Sequence, residues 1–192
     1  MSAPLRVERD NAVLLVVDLQ EKLLPAIDRT DQVTARCAKM IRAAKVLGVP
    51  IVVTEQYPKG IGPTTPQIAA LLGDQPVIEK MTFSACGVEP AKTALDTHGR
   101  RHVIVIGIEA HVCVQQTVLD LAAHRHANGE RGYVPFVAAD AVGSRNRFDC
   151  QIALDRMRQM GAVVTTTEAL IFEMCGEAGT PLFKELLPIV KE

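Results

Sequence analysis

The stretch RHVIVIGIEAHVCVQQTVLDLAAH, residues 101–124, decides how this chain folds. It begins with a short apolar run, which favours a strand buried on both faces of a sheet. After Glu109 the apolar positions change to the spacing of a helix. Strands followed directly by helices are typical of a parallel sheet that is covered by helices. Cys113 lies at the beginning of the predicted helix.

The same alternation continues along the chain. We predict strands over residues 12–17, 50–54, 77–80, 102–106, 133–137 and 162–165. Helical patterns cover residues 31–47, 68–72, 89–98, 112–128, 149–160, 167–174 and 182–190. Segment 54–67, TEQYPKGIGPTTPQ, is rich in proline and glycine and is predicted to be a loop. The pattern predicts an α/β protein with three α/β/α layers and a central, mostly parallel six-stranded sheet, wound like a Rossmann fold by right-handed crossovers.

Composition limits the function. The 192 residues show no break in composition, so we expect one domain over 1–192. The 21 basic and 22 acidic residues are well mixed, which argues against nucleic-acid binding. No apolar run has the length of a membrane span, and the N-terminus does not resemble a signal peptide. The five cysteines are scattered without a CxxC pair, which indicates a reducing compartment, so we expect a cytoplasmic protein.

Chemically useful side chains follow four of the predicted strands. In sheets of this type, ligands bind outside the carboxyl ends of the strands. Asp18 follows the first strand, residues 54–56 end the second, Lys80 ends the third and residues 109–113 follow the fourth. We therefore expect an acid, a cation and a thiol to converge on one edge of the sheet.

Each of these three residues has a functional and a structural interpretation. Cys113 is either a nucleophile or a small buried hydrophobe. As a nucleophile it would form a thiolate, which a helix N-terminus and a nearby cation such as Lys80 would favour. Asp18 is a general base or a residue that caps a loop. Lys80 lowers the pKa of the thiol or is an ordinary solvated lysine. His111 is too close to Cys113 along a helix to face it, so we interpret it as a capping or rim residue.

Motifs for cofactors and metals do not occur in the sequence. It contains no GxGxxG, GxxxxGK[ST], HExxH or EF-hand pattern. We therefore expect no cofactor.

Taken together, the segments VVDLQEKL, VIEKMTFSA and GIEAHVCVQQT resemble those of the isochorismatase-like cysteine hydrolases, in the same order and spacing. The similarity extends over nearly the whole chain. The segments TEQYPKGIGPT, DLAAHRH and RMRQMGAVVTTTEALIFEM are most similar to the isochorismatase domain-containing proteins. The resemblance identifies a family but leaves the substrate open.

The resemblance implies an Asp–Lys–Cys triad, with Asp18 as proton shuttle, Lys80 as electrostatic partner and Cys113 as nucleophile. It also implies a cis peptide between Ile108 and Glu109, and an oxyanion hole formed by the N–H groups of Glu109 and Cys113. Nicotinamidases of this superfamily carry an Asp-x-His metal site after the second strand. Here that place reads Glu55-Gln56-Tyr57, so no bound metal is expected. The residues expected to bind substrate are Leu23, Gln56, Tyr57, Phe83 and Ser84, together with Glu109.

The function implied is hydrolysis of a small amide or related C–N compound through a thioester. Two alternatives stay open, namely an isochorismatase-type vinyl-ether hydrolase that does not need Cys113, and an inactive interaction module on the same fold. Because the family usually assembles, we expect a homo-oligomer that acts on a small molecule, without nucleic-acid or membrane partners.

Overall fold

A six-stranded sheet forms the centre of the computed structural model, which describes residues 5–125, 129 and 132–192. The strands are β1 (Ala12–Val17), β2 (Ile51–Gln56), β3 (Val77–Lys80), β4 (His102–Ile108), β5 (Val134–Gly143) and β6 (Val163–Thr165). Their order is β3-β2-β1-β4-β5-β6, and every neighbouring pair is parallel. This is the order of a doubly wound sheet, as predicted from the alternation of strands and helices.

Helices cover both faces of this sheet. They are α1 (Thr30–Leu47), α2 (Pro58–Ile61), α3 (Pro66–Leu72), α4 (Glu89–Thr97), α5 (Gln115–Ala123), α6 (Arg147–Gln159), α7 (Thr167–Cys175) and α8 (Pro181–Lys191). One apolar cluster joins α1, α3, α7 and α8 to one face of the sheet. A second cluster joins α4, α5 and α6 to the other face. The predicted three-layer α/β/α architecture is therefore confirmed.

Strand β1 shows why its sequence is apolar throughout. Leu14 and Val16 belong to the first cluster, whereas Val13 and Leu15 belong to the second. Successive side chains of a strand point to opposite faces, so a strand covered on both sides needs apolar residues at every position.

Strand β5 is longer than the sequence indicated, since it continues to Gly143 instead of ending at residue 137. Asp140 interrupts the apolar run and made this extension hard to predict. In the fold, the Asp140 carboxylate accepts hydrogen bonds from the backbone N–H and the hydroxyl of Thr167, at 2.7 and 2.9 Å. These bonds allow a charged residue to lie within the strand.

The predicted loop over 54–67 is only partly a loop. Strand β2 extends to Gln56, and Pro58 and Pro66 begin the short helices α2 and α3. Proline fits the first position of a helix because no intrahelical partner is needed for its missing N–H. The prolines that suggested a loop therefore begin helices instead.

The helix predicted over 112–128 is also interrupted. A π-helical turn, Ala110–Val114, precedes α5, which ends at Ala123. Residues 126–128 of that prediction lie outside the described residues.

No helix in the described part of the chain has the length and apolar character needed to cross a lipid bilayer.

Gly107 fixes the approach of β4 to β1. Its φ is +119°, and a Cβ atom at this position would lie 2.0 Å from the backbone oxygen of Val17. Both the backbone conformation and the space therefore require glycine at this position, two residues before Glu109.

We predict that Gly107→Ala lowers the free energy of unfolding by more than about 4 kcal/mol, because β1 and β4 must separate to admit the methyl group. Gly48→Ala is the matched control. Gly48 also has a positive φ, but its Cβ would meet nothing within 4 Å. The control should lose only about 1–2 kcal/mol for the left-handed backbone. Denaturant unfolding measures both, and equal losses would refute this account of Gly107.

Candidate active site

The candidate site lies where the strand order reverses. Strands β1 and β4 are neighbours, but the chain proceeds from β1 towards one edge of the sheet and from β4 towards the other. Such a switch point opens a crevice at the carboxyl ends of the strands. Asp18 follows β1 and Cys113 follows β4, so the topology brings both residues to this crevice.

A buried ion pair joins Asp18 to Lys80. The distance from Lys80 Nζ to Asp18 Oδ2 is 2.6 Å, and both side chains are 0% exposed. Asp18 has a left-handed backbone, with φ of 52°, so the chain turns sharply as it leaves β1. Its other carboxylate oxygen, Oδ1, accepts a hydrogen bond of 2.8 Å from the Thr54 hydroxyl. The carboxylate is thus held at both oxygens.

The Lys80 ammonium is surrounded by acceptors. Besides Asp18, it donates to Gln56 Oε1 at 2.8 Å and to the backbone oxygens of Phe83 and Thr82 at 3.0 and 3.3 Å. An ammonium has three donors, and here four acceptors share them. These contacts hold the ammonium in place, and its charge acts on its neighbours.

Cys113 lies in the π-helical turn that precedes α5. The Val114 N–H donates to the Glu109 oxygen at 3.1 Å, which closes the wide turn. The preceding peptide bond, between Ile108 and Glu109, is cis. N–H groups in the first turn of a helix lack intrahelical acceptors and can bind an anion. Cys113 is 5% exposed, and its sulfur lies 4.0 Å from Gln56 Oε1.

The environment raises the pKa of Cys113 to about 12, chiefly because burial penalises the thiolate. The Asp18 carboxylate raises this pKa further, whereas the Lys80 ammonium lowers it. The lowering of this pKa by Lys80, one of the two interpretations of that residue, is present, but burial outweighs it. A neutral thiol needs a base in order to react, and Asp18 is the neighbouring carboxylate.

The segment that follows β5 holds Glu109 and His111 in place. The Glu109 carboxylate accepts from the Arg145 N–H and side chain at 3.1 and 3.0 Å. His111 Nδ1 lies 2.9 Å from Ser144 Oγ. Both contacts tie the turn that contains Cys113 to the segment after β5, which agrees with His111 as a rim residue.

The residues expected to bind substrate occupy different environments. Tyr57 and Phe83 are exposed, while the Phe83 backbone oxygen binds Lys80. Ser84 is buried, and its hydroxyl accepts from the Cys86 N–H at 3.2 Å. Leu23 is half-buried and packs against the first apolar cluster, as an ordinary core residue does.

Gln56 contacts the Cys113 sulfur at 4.0 Å, but both ends of its amide are engaged. Its Oε1 accepts from Lys80, and its Nε2 donates to the Met81 oxygen at 2.9 Å. Gln56 therefore contacts the ion pair and is not free to turn towards a ligand.

Two of the cavities in the described part of the chain have volumes of about 830 and 530 Å³. Neither is lined by Asp18, Lys80 or Cys113. The larger lies between α1, the end of β5 and α6.

The sequence pointed to Thr54 only as part of segment 54–56 and did not reveal Gln20 and Thr117, which also support the site. Thr54 binds Asp18, and Gln20 binds the backbone of Gln56 on both sides, at 2.7 and 2.9 Å. The Thr117 hydroxyl donates to the Cys113 oxygen at 2.7 Å and accepts from the Ala85 N–H at 2.9 Å. A polar residue inside an otherwise apolar strand, such as Thr54 in IVVTEQ, was the available signal.

The Glu55 side chain points to the opposite face of β2 from those of Thr54 and Gln56. It accepts from the hydroxyl and the N–H of Thr64. Among the described residues, no three His, Cys, Asp or Glu side chains are grouped so as to hold a metal ion.

Comparison with known proteins identifies relatives of the chain. A sequence model of the isochorismatase domain matches residues 12–169. Isochorismatase domain-containing protein 2 of Macaca fascicularis is 40% identical over 188 residues, which cover 97% of this chain and 86% of that protein. Isochorismatase domain-containing protein 1 of Salmo salar is 37% identical over 179 residues, or 93% of this chain. The aligned region spans only 60% of the length of the salmon protein.

Solved structures share the fold. The structure of MAR1 ribonuclease from Caenorhabditis elegans superimposes with a TM-score of 0.89 at 38% identity, covering 98% of this chain and 93% of the other. The YcaC gene product from Escherichia coli, described as an octameric hydrolase of unknown specificity, gives a TM-score of 0.86 at 25% identity. That match covers 100% of this chain and 95% of the bacterial one.

We predict that Asp18→Asn accelerates alkylation of Cys113 by iodoacetamide at pH 8 by about tenfold or more. The carboxylate raises the pKa of the thiol, so its neutralisation increases the thiolate fraction. Lys80→Met should change the rate in the opposite direction. Peptide mass spectrometry follows the rates, with Cys175 in the same digest as internal reference. A slower reaction in Asp18→Asn would contradict the assignment of these charges.

Proposed function

The chain belongs to the isochorismatase family, and we propose that it is a cysteine-dependent hydrolase of small amides or related C–N compounds. One observation carries the proposal. A buried thiol, whose pKa is raised by burial and by Asp18, lies beside that carboxylate, and the carboxylate is held in place by the Lys80 ammonium and the Thr54 hydroxyl. Such an arrangement suits transfer of a proton between the thiol and the carboxylate.

The proposed reaction begins with Cys113. Its sulfur attacks the carbonyl carbon of the amide while the thiol proton passes to Asp18. The resulting oxyanion is held by the N–H groups of Glu109 and Cys113. When the C–N bond breaks, Asp18 returns the proton to the departing nitrogen, which leaves a thioester on Cys113.

Water completes the cycle. Asp18 takes a proton from the water as its oxygen attacks the thioester carbon. The C–S bond then breaks, the acid product leaves, and the proton returns to the sulfur. Lys80 stays charged throughout and stabilises Asp18 whenever it is ionised.

A small, neutral substrate fits the charges of this site. Asp18 and Lys80 compensate each other, and Glu109 is paired with Arg145. The alternative enzyme is a vinyl-ether hydrolase of the isochorismatase type. That alternative also requires Asp18 but not Cys113. An inactive interaction module would leave the assembled triad without a role.

Two further features belong to the proposal. We propose a small-molecule substrate rather than RNA, although the nematode neighbour is described as a ribonuclease. The net charge of −1, with both signs well mixed, supports this choice because RNA binding favours basic surfaces. We also propose that residues 1–192 form a single hydrolase domain that acts in the cytoplasm without a cofactor.

We predict that Cys113→Ala lowers the turnover of a hydrolysable amide at least about a thousandfold, because the thioester can no longer form. A panel of small amides, assayed by ammonia release, supplies the substrate. Circular dichroism should show an unchanged fold, and Cys175→Ala serves as the control with full activity. Ammonia release that survives Cys113→Ala but is lost in Asp18→Asn would contradict the thioester and assign the reaction to Asp18 without the thiol.

We also expect a homo-oligomer. The octameric YcaC neighbour supports this expectation. Size-exclusion chromatography with light scattering should give a multiple of the 20.8 kDa chain mass at micromolar concentration. A particle of 20.8 kDa with full activity would contradict it.

A further inference from the structure

Strand β2 lies directly beneath the ion pair. It is the strand between β1 and β3, so the bond from Lys80 at the end of β3 to Asp18 after β1 crosses its carboxyl end. Thr54 and Gln56 are two residues apart on β2, and their side chains therefore leave the same face of the strand. Both side chains contact the ion pair, Thr54 at Asp18 and Gln56 at Lys80, each at 2.8 Å.

Gln56 is itself fixed in one orientation. Its Nε2 donates to the Met81 oxygen, which leaves Oε1 facing Lys80. The buried Gln20 side chain accepts from the Gln56 N–H at 2.7 Å and donates to its backbone oxygen at 2.9 Å. An amide held at both ends and along its backbone can serve as a rigid acceptor for the ammonium.

Thr54 holds Asp18 at two points. Its backbone oxygen accepts from the Asp18 N–H at 3.1 Å, and its hydroxyl donates to Asp18 Oδ1. Asp18 needs such contacts because its φ of 52° is unfavourable for a residue other than glycine. With Oδ1 bound to Thr54 and Oδ2 bound to Lys80, the carboxylate cannot rotate without losing both hydrogen bonds.

We propose that Thr54 and Gln56 are positioning residues, which hold the two members of the Asp18–Lys80 pair so that the carboxylate faces the Cys113 thiol. The inference rests on the proposed function, since it assigns these residues a part in the same proton transfer. Neither residue touches the substrate in this proposal. Their effect on the reaction passes through Asp18 and Lys80.

The test compares Thr54→Val, which keeps the shape of the side chain but loses the hydroxyl, with Thr54→Ser, which keeps the hydroxyl. We expect Thr54→Val to lower kcat by about 10- to 100-fold, the effect of one hydrogen bond to a charged group, with KM little changed. Thr54→Ser should recover kcat to within about threefold of the unchanged protein. Gln56→Met, of similar length, should lower kcat like Thr54→Val.

Thr167→Val is the matched control. The Thr167 hydroxyl also donates to a carboxylate, that of Asp140, and Thr167 is likewise 0% exposed. Among the described residues, no hydrogen bond or ion pair joins Asp140 or Thr167 to Asp18, Lys80 or Cys113. The control should therefore keep full kcat, even if its melting temperature falls as much as that of Thr54→Val.

A second readout does not depend on turnover. If Thr54 holds the carboxylate against the thiol, Thr54→Val should accelerate alkylation of Cys113 at pH 8, in the same direction as Asp18→Asn but less strongly. Thr54→Ser and Thr167→Val should leave that rate unchanged. Should Thr54→Val not fold, the alkylation rate and kcat of Gln56→Met take its place.

The outcomes separate this inference from the proposed function. If the unchanged protein hydrolyses no amide but Thr54→Val still alters the alkylation of Cys113, the proposed function fails and the positioning role stands. If Thr54→Val equals Thr167→Val in kcat, KM and alkylation rate, Thr54 is an ordinary strand residue and the inference is overturned. If Gln56→Met also equals Thr167→Val in kcat, KM and alkylation rate, Gln56 is not a positioning residue.

Discussion

The fully buried ion pair between Asp18 and Lys80 is the interaction on which the rest of the site depends. Two charges at 0% exposure are tolerated only when each is paired and its remaining hydrogen-bonding capacity is satisfied. Removal of one partner of such a pair typically costs about 3–5 kcal/mol, because the other charge stays buried alone. The pair also requires β1, β2 and β3 to end at the same level of the sheet, which their parallel register provides, with Val17 beside Thr54 and Gln56 beside Lys80.

The chemistry of Cys113 follows from this pair. In an isolated helix N-terminus, a neighbouring ammonium would yield a stable thiolate. Here the ammonium is already neutralised by Asp18, and burial dominates, so the thiol stays protonated at rest. A protonated thiol beside an anchored base is less open to adventitious alkylation and oxidation, and it becomes reactive when a carbonyl carbon accepts its electrons. In the proposed reaction, the Asp18 carboxylate of this pair therefore takes up the thiol proton and later returns it.

Much of this arrangement could be predicted from the sequence. The apolar runs that end in Asp18 and Lys80, and the one that leads into Cys113, located the strands, and the doubly wound topology placed their carboxyl ends at one edge. The extension of β5 could not be predicted, because Asp140 looks like the end of a strand until its bonds to Thr167 are known. The roles of Thr54 and Gln56 depend on which neighbour each side chain meets, and a single strand does not reveal its neighbours. The pKa of Cys113 depends on burial depth and distances, for which residue type and spacing are insufficient.

The most direct test of the account is rapid-quench mass spectrometry during turnover of an amide substrate. The account predicts that, before the steady state is reached, the peptide containing Cys113 gains the mass of the acyl group and the other four cysteines remain unmodified. The adduct should also disappear at the rate at which the acid product forms after substrate is exhausted. The quench times must include some that are shorter than one turnover. If the substrate is fully converted and Cys113 is unmodified at every time point, the proposed thioester is contradicted, and with it the central role of the thiol.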